Sequence, residues 1–164
     1  MTNSVPMKKA RTGLYVYGAL MLLVMVFIFV MSAQDGDDSG ALSNGFLSTV
    51  LARLVESLHP ERFGWSVELV LRKCAHMFEF FCLSITSFLF FGELLNAQRH
   101  RLLQCSVAAL AWSFLYACTD EWHQTFVPGR AGRFTDVLID SCGALIGVLL
   151  ALLLRRLTVG GQNR

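Results

Sequence analysis

Ten polar side chains gather in three short stretches of an otherwise apolar chain: His76 and Glu79, then Asp120, Glu121, His123 and Gln124, then Arg130, Arg133, Asp136 and Asp140. Ionisable groups are costly inside a bilayer, and those that stay there bind, move protons or pair with one another. Several chemistries suit these residue types. A histidine beside carboxylates can act as a general base, which makes His76, Glu79, Asp120 and His123 candidates for catalysis on a head group. Arginine matches phosphate oxygens with a rigid fork of donors, so Arg130 and Arg133, with Arg72 and Lys73 nearby, can grip a phosphate. Glu121, Gln124, Asp136 and Asp140 complete the candidate binding set. The same histidines and carboxylates could hold a divalent metal, but the tight His-x-x-x-His spacing of a hydrolase is absent, which counts against it. The remaining reading is structural, with Arg130 paired to an Asp or Glu and His76 to Glu79, tying helices together.

Spacing says which of these groups can act together. His76 and Glu79 are three residues apart and share a helical face. Tyr116, Asp120, His123 and Gln124 share another if their helix continues past Thr119. Asp136, Asp140, Gly143 and Gly147 follow at steps of four and three, and Gly143-x-x-x-Gly147 is a small-residue interface that allows close helix contact. Thr135 is expected to cap that helix, with Asp136 in the first turn where a carboxylate complements the helix dipole. Pro128-Gly129 marks a turn. Glu121 has no partner evident from spacing. No Ser or Cys nucleophile adjoins a histidine in sequence, although Ser141 and Cys142 fall near the cluster. The polar faces fade beyond Glu79 and Asp140, which leaves no through-path and argues against a transporter or channel. The simplest packing points the three polar helix ends at one another, forming a bowl.

The elements that must position these groups follow from hydropathy. The chain has 164 residues, 54% hydrophobic and only 16% charged, with a mean hydropathy of +0.52. That is too apolar for a soluble domain around one core and indicates an integral membrane protein, of a length that makes one domain over 1–164. The expected class is an all-α membrane protein with four transmembrane helices, at about 13–33, 74–92, 102–119 and 137–154. The first run, Gly13 to Ala33, carries no charge and as a helix would span about 31 Å. It is too long for a secretory signal, and Met31 spoils the cleavage site, so it is expected to be retained.

An extracytoplasmic, interfacial amphipathic helix is expected at about 44–58. There Phe46, Leu47, Val50, Leu51, Leu54, Val55 and Leu58 recur at helical spacing between a Ser43 or Asn44 cap and Pro60. The five cysteines show no CxxC pattern and are expected to be small buried hydrophobes. His59 and His100 are expected to be solvated in loops, and Trp112 and Trp122 to anchor the interface. Four spans put both termini on one side. Lys8, Lys9, Arg11, Arg99, Arg101, Arg155, Arg156 and Arg164, eight of the fourteen basic residues, fall on that side with Glu93 as its acid. The positive-inside rule places both termini in the cytoplasm and the polar cluster at the outer leaflet.

Three segments carry a family resemblance: R-K-C-A-H-M-F-E-F at 72–80, D-E-W-H-Q-T-F-V-P-G-R at 120–130, and D-V-L-I-D-S-C-G-A-L-I-G at 136–147. A weaker match is S-A-Q-D-G-D-D-S-G-A-L-S at 32–43. On these the chain resembles the VanZ-like family, small bacterial integral membrane proteins named for a glycopeptide-resistance gene product. The segment at 120–130 is the most specific. The sequence departs from the family pattern at Phe80, where the family has Tyr, and at Asp140, where it has Asn; an acid there is expected to hold its proton or to pair with a base such as Arg130. The resemblance implies a place in the bacterial cytoplasmic membrane and a role at the cell envelope, with lowered teicoplanin susceptibility in the namesake.

The expected function is an envelope factor whose outward-facing site binds a lipid-linked cell-wall precursor or the lipid tail of a lipoglycopeptide. Membrane lipids are its surroundings, and no nucleic acid is expected. The alternative is an outer-leaflet hydrolase or transferase acting on a lipid-linked sugar or phospholipid head group, with His123 or Glu79 as base. The cofactor is left open, a divalent metal being the one weighed.

Overall fold

Long apolar runs in a chain without water must satisfy their own backbone hydrogen bonds, which leaves helices as the available element. The computed structural model describes residues 7–34, 52–57, 59–96 and 101–160. It contains α1 (Met7–Ser32), a 3-10 turn at Pro60–Phe63, α2 (Val67–Leu94), α3 (Leu102–Gln124) and α4 (Phe134–Gly160). No strand occurs among the described residues. The segments Thr12–Ser32, Val67–Leu94, Leu102–Gln124 and Phe134–Thr158 are long and apolar enough to cross a membrane. The chain is thus an all-α, multi-pass membrane protein.

The helices run longer than the apolar runs that betray them. The second begins at Val67 rather than near Cys74, because Ser66 caps it: the Ser66 hydroxyl accepts the Leu69 N–H at 3.2 Å. Its 28 residues span about 42 Å, so its first, polar turns extend beyond a hydrocarbon core of about 30 Å. It ends at Leu94, with Leu95 as its C-cap and Asn96 next in the left-handed region at φ +46°, a common helix stop. The third helix does continue past Thr119, to Gln124.

The fourth starts at Phe134, so Thr135 lies inside its first turn and does not cap it. The Thr135 hydroxyl instead points at Asp136, 3.3 Å away. The Glu121 carboxylate stands at that helix end, accepting the Arg133 backbone N–H at 2.8 Å, where a negative charge suits the dipole. Of the expected amphipathic helix, residues 52–56 are helical. Its part at 44–51 and Leu58 lie outside the described residues, as do His100 and residues 35–43 of the weaker family segment.

The chain passes back and forth, so α2 and α4 begin where α1 and α3 end. α2 is the central helix, touching the other three, while α1 rests chiefly on α2 and only lightly on α3. Between α2 and α4 the contact is backbone on backbone. A Cβ on Gly143 would overlap the Met77 carbonyl oxygen, and one on Gly147 would overlap Ser84 Oγ and reach 2.5 Å from the Phe81 carbonyl oxygen. In lipid, such close contact replaces the hydrophobic drive that holds soluble helices together.

Two apolar clusters fill the bundle, one around Ile28, Phe80, Leu83 and Ala117 and one around Phe88, Cys105, Ala109 and Val148. The outer faces are rich in exposed Leu, Val and Phe, as lipid contact requires. Among the cysteines only Cys105 is buried; Cys82 and Cys118 are half-buried, and Cys74 and Cys142 are exposed. The expectation of five buried thiols is corrected accordingly: in a thin bundle, apolar helix faces turn outward as readily as inward.

Candidate functional site

At the end where α2 and α4 begin, a cavity of about 330 Å³ opens between helices. α2 supplies Leu69, Arg72, Lys73 and His76, a set at steps of three, four and seven that makes one stripe. Asp136, Ile139 and Asp140 form the matching stripe of α4, and Glu121 and Gln124 come from the last turn of α3. The chain between α3 and α4 supplies Gly129, Arg130, Ala131 and Arg133.

That connection is shaped by its turn. The Arg130 N–H donates to the Val127 carbonyl at 3.1 Å and Gly129 has φ +72°. These features, with Pro128 second in the turn, are the signature of type II. The turn sends the Arg130 side chain back to the end of α1. There its Nε donates to the Gln34 carbonyl at 2.9 Å and its Nη2 to the Met31 carbonyl at 3.4 Å. Carbonyls at a helix C-terminus lack partners within the helix, and a cation there also suits the dipole. Burial pulls the Arg130 guanidinium down from its ordinary pKa and Arg72 adds to this, while Asp120, Glu121 and Glu79 oppose it. Its third nitrogen, Nη1, is buried without a partner. Arg130 therefore pairs with carbonyls and not with an Asp or Glu side chain, and the expected Arg130–Asp140 pair does not form. The guanidinium is turned toward the end of α1.

Asp120 joins helices. Its Oδ2 accepts from Ser32 Oγ and from Gln124 Nε2, both at 2.9 Å, while Oδ1 is buried and unpartnered. Tyr116 adds a second tie, donating to the Met25 carbonyl at 2.6 Å. Lys73 and Asp136 form an ion pair between α2 and α4, which removes Lys73 from the free cations. His76 Nδ1 and Glu79 Oε2 lie 3.3 Å apart, but not along a hydrogen-bond direction, so each remains without a hydrogen-bond partner.

The ten candidate residues divide three ways. His76, Glu121, Gln124, Arg130, Arg133, Asp136 and Asp140 line the cavity. Glu79, 8% exposed, and Asp120, 4% exposed, lie behind that wall, in contact with His76 and Gln124. His123 faces elsewhere: its ring packs on Phe29 of α1 with centroids 4.5 Å apart. Positions 121 and 123 are about 200° apart around a helix, so a rotation that turns Glu121 to the cavity turns His123 to α1. Ser141, bonded to the Val137 carbonyl at 2.6 Å, and exposed Cys142 do not line the cavity. Among the described residues, no three His, Cys, Asp or Glu side chains converge as a metal site.

Lys73 is paired, Arg130 is bound to carbonyls, Asp136 is paired and Glu121 accepts a backbone N–H. Among the described residues, the side chains of Arg72, Arg133 and Asp140 have no ion-pair or hydrogen-bond partner. Ser32 and the apolar wall residues Leu69 and Ile139 were not singled out by spacing. Ser32 meets Asp120 across 88 positions, and no local pattern signals such a pair.

The whole cavity and the greater part of the four helices fall within one stretch that a family model described as VanZ/LLP1 matches, residues 17–155. The chain belongs to the VanZ/LLP1 family. No curated protein and no solved structure matches it. The VanZ/LLP1 match takes in all the cavity-lining residues and most of α1, so the polar site lies inside the region that defines membership.

Proposed function

We propose that this VanZ/LLP1 protein lies in the bacterial cytoplasmic membrane with both termini inside. On this reading the cavity faces the outer leaflet and binds a phosphate-bearing, lipid-linked component of the envelope. The observation that carries the reading is the pair of arginines, Arg72 and Arg133, left on the wall with no carboxylate to neutralise them. Both stand near the N-terminal ends of α2 and α4, where helix dipoles favour an anion. Trp65, Trp122, Phe126 and Phe134 are exposed at the same end of the bundle, as aromatic residues are at the membrane–water interface. That supports a cavity at head-group depth.

A volume of about 330 Å³ lies at the small end for ligand pockets and suits a head group rather than a whole glycopeptide. The wall is mainly polar, with Leu69 and Ile139 as its large apolar residues, which favours a head group over the lipid tail of an antibiotic. Any effect on teicoplanin-type susceptibility then follows from sequestering a lipid-linked component. Equilibrium binding of a short-chain phospholipid to the detergent-purified protein checks this. Arg72→Ala and Arg133→Ala should each weaken binding about tenfold or more, the scale of a lost charged hydrogen bond. Unaltered affinity in both variants would refute the proposal.

An enzymatic reading has one observation in its favour: His76 stands on the cavity wall with the Glu79 carboxylate 3.3 Å behind it. A histidine with a carboxylate close by is a candidate general base, and His123, packed on Phe29, is not placed for that role. If the protein is a head-group hydrolase or transferase, His76→Gln should abolish turnover while lipid binding survives. A variant that retains full turnover would exclude His76 as the base.

A further inference from the structure

Three ionisable side chains on the cavity wall have no partner in the protein among the described residues: Arg72, Arg133 and Asp140. A phosphate answers the first two and leaves the third. Asp140 is 2% exposed and lines the cavity, yet it accepts no hydrogen bond. A buried carboxylate without donor or counter-ion is strongly unfavourable in a membrane, so an occupant that supplies donors there gains much from doing so.

The order of the charges along the cavity follows from helix register. Gly143 packs at Met77 and Gly147 at Phe81, and α2 and α4 run parallel. One turn at a time toward the cavity, Asp140 is then level with Cys74 and Asp136 with Val70. Lys73 nevertheless reaches Asp136, because helical side chains lean toward the helix N-terminus. Arg72, beside Lys73, leans the same way, and Arg133 precedes the first residue of α4. Arg72 is level with position 138, about 3 Å nearer the opening than Asp140, and Arg133 precedes the helix altogether, so Asp140 is the innermost of the three.

We infer that the occupant is an amine-terminated phosphate ester, the chemistry of a phosphoethanolamine head group. Its ammonium lies innermost on Asp140 and its phosphate between Arg72 and Arg133. This deepens the phosphate-binding reading above and rests on it. A head group ending in a free phosphate or diphosphate would bring negative charge against Asp140, with Glu121 also on that wall. A trimethylammonium would bring the right charge but no N–H donor. A primary ammonium supplies both, and the ester leaves any acyl chains at the opening, where lipid is.

The test is equilibrium binding to the full chain in detergent, with dihexanoyl phosphatidylethanolamine, phosphatidylcholine and phosphatidylglycerol, and with free phosphoethanolamine. The ethanolamine lipid is expected to bind at least tenfold more tightly than the other two. Asp140→Asn should erase that preference, whereas Arg133→Ala should weaken every lipid together. The ligand series itself needs no variant, so it decides the matter even if Asp140→Asn fails to fold. Equal or tighter binding of phosphatidylglycerol overturns the inference while leaving phosphate binding standing, and so does a preference that survives Asp140→Asn. If none of the lipids and no free phosphoethanolamine binds, both readings fall. Free phosphoethanolamine binding as tightly as the lipid supports the head-group chemistry and assigns a soluble source; binding that needs the acyl chains assigns the membrane.

Discussion

Replacing Arg130 with alanine is expected to destabilise the protein by about 3–6 kcal/mol, the sum of two charge-assisted hydrogen bonds at about 1.5–3 kcal/mol each. Its guanidinium is what binds the end of α1 to the α3–α4 connection, through the Met31 and Gln34 carbonyls. α1 otherwise leans mainly on α2, so the loss should detach that corner of the bundle. Arg130→Lys should recover less than half of the stability, because a point charge on a flexible stem cannot span two carbonyls as a planar fork does. Thermal unfolding in detergent, followed by helicity, reads both variants. A midpoint for Arg130→Ala equal to that of wild type would show that the tie to α1 contributes nothing.

Gly143→Val is expected to have a comparable effect by a different route. A Cβ at that position meets the Met77 carbonyl oxygen, and a backbone atom on a helix cannot swing aside as a side-chain tip can. Overpacking a core ordinarily costs about 1–3 kcal/mol, and a backbone collision places this case at the upper end or beyond. Because Asp136 and Asp140 ride on the same helix face, a forced separation of α2 and α4 would also pull the Lys73–Asp136 pair apart. The expected result is a lowered unfolding midpoint together with loss of lipid binding. Gly147→Ala is the companion measurement, since its new methyl would meet Ser84 Oγ and the Phe81 carbonyl. A wild-type melt for both variants would contradict the close α2–α4 contact.

The helices were legible in the sequence as long uncharged runs, but their ends were not. Hydropathy marks the part of a helix that sits in hydrocarbon, and α2 continues for two polar turns outside it, from Val67 through Lys73. Those turns carry Leu69, Arg72 and Lys73, so the part of the helix that hydropathy overlooks is the part that lines the cavity. Relations within one helix were readable from spacing: Asp120 and Gln124, four apart, are hydrogen-bonded at 2.9 Å, and the Gly143–Gly147 face is the α2–α4 contact.

Relations between helices were not readable, because they depend on rotation and register. Spacing puts His123 on a face with Asp120, and that face turns to α1, where Asp120 meets Ser32 and His123 packs on Phe29, a direction that spacing does not give. The partner of Glu121 is a backbone N–H twelve positions away, and the partners of Arg130 are carbonyls nearly a hundred positions back. None of these leaves a mark in the local pattern.

The central claim is that Arg72 and Arg133 hold a phosphate-bearing lipid in the cavity. Its most direct test is native mass spectrometry of the protein extracted from membranes, comparing wild type with the Arg72→Ala/Arg133→Ala double variant after extensive detergent exchange. Wild type should retain one phosphate-bearing lipid per chain and the double variant, folded by its melt, should retain none. Equal retention by the two proteins would contradict the claim.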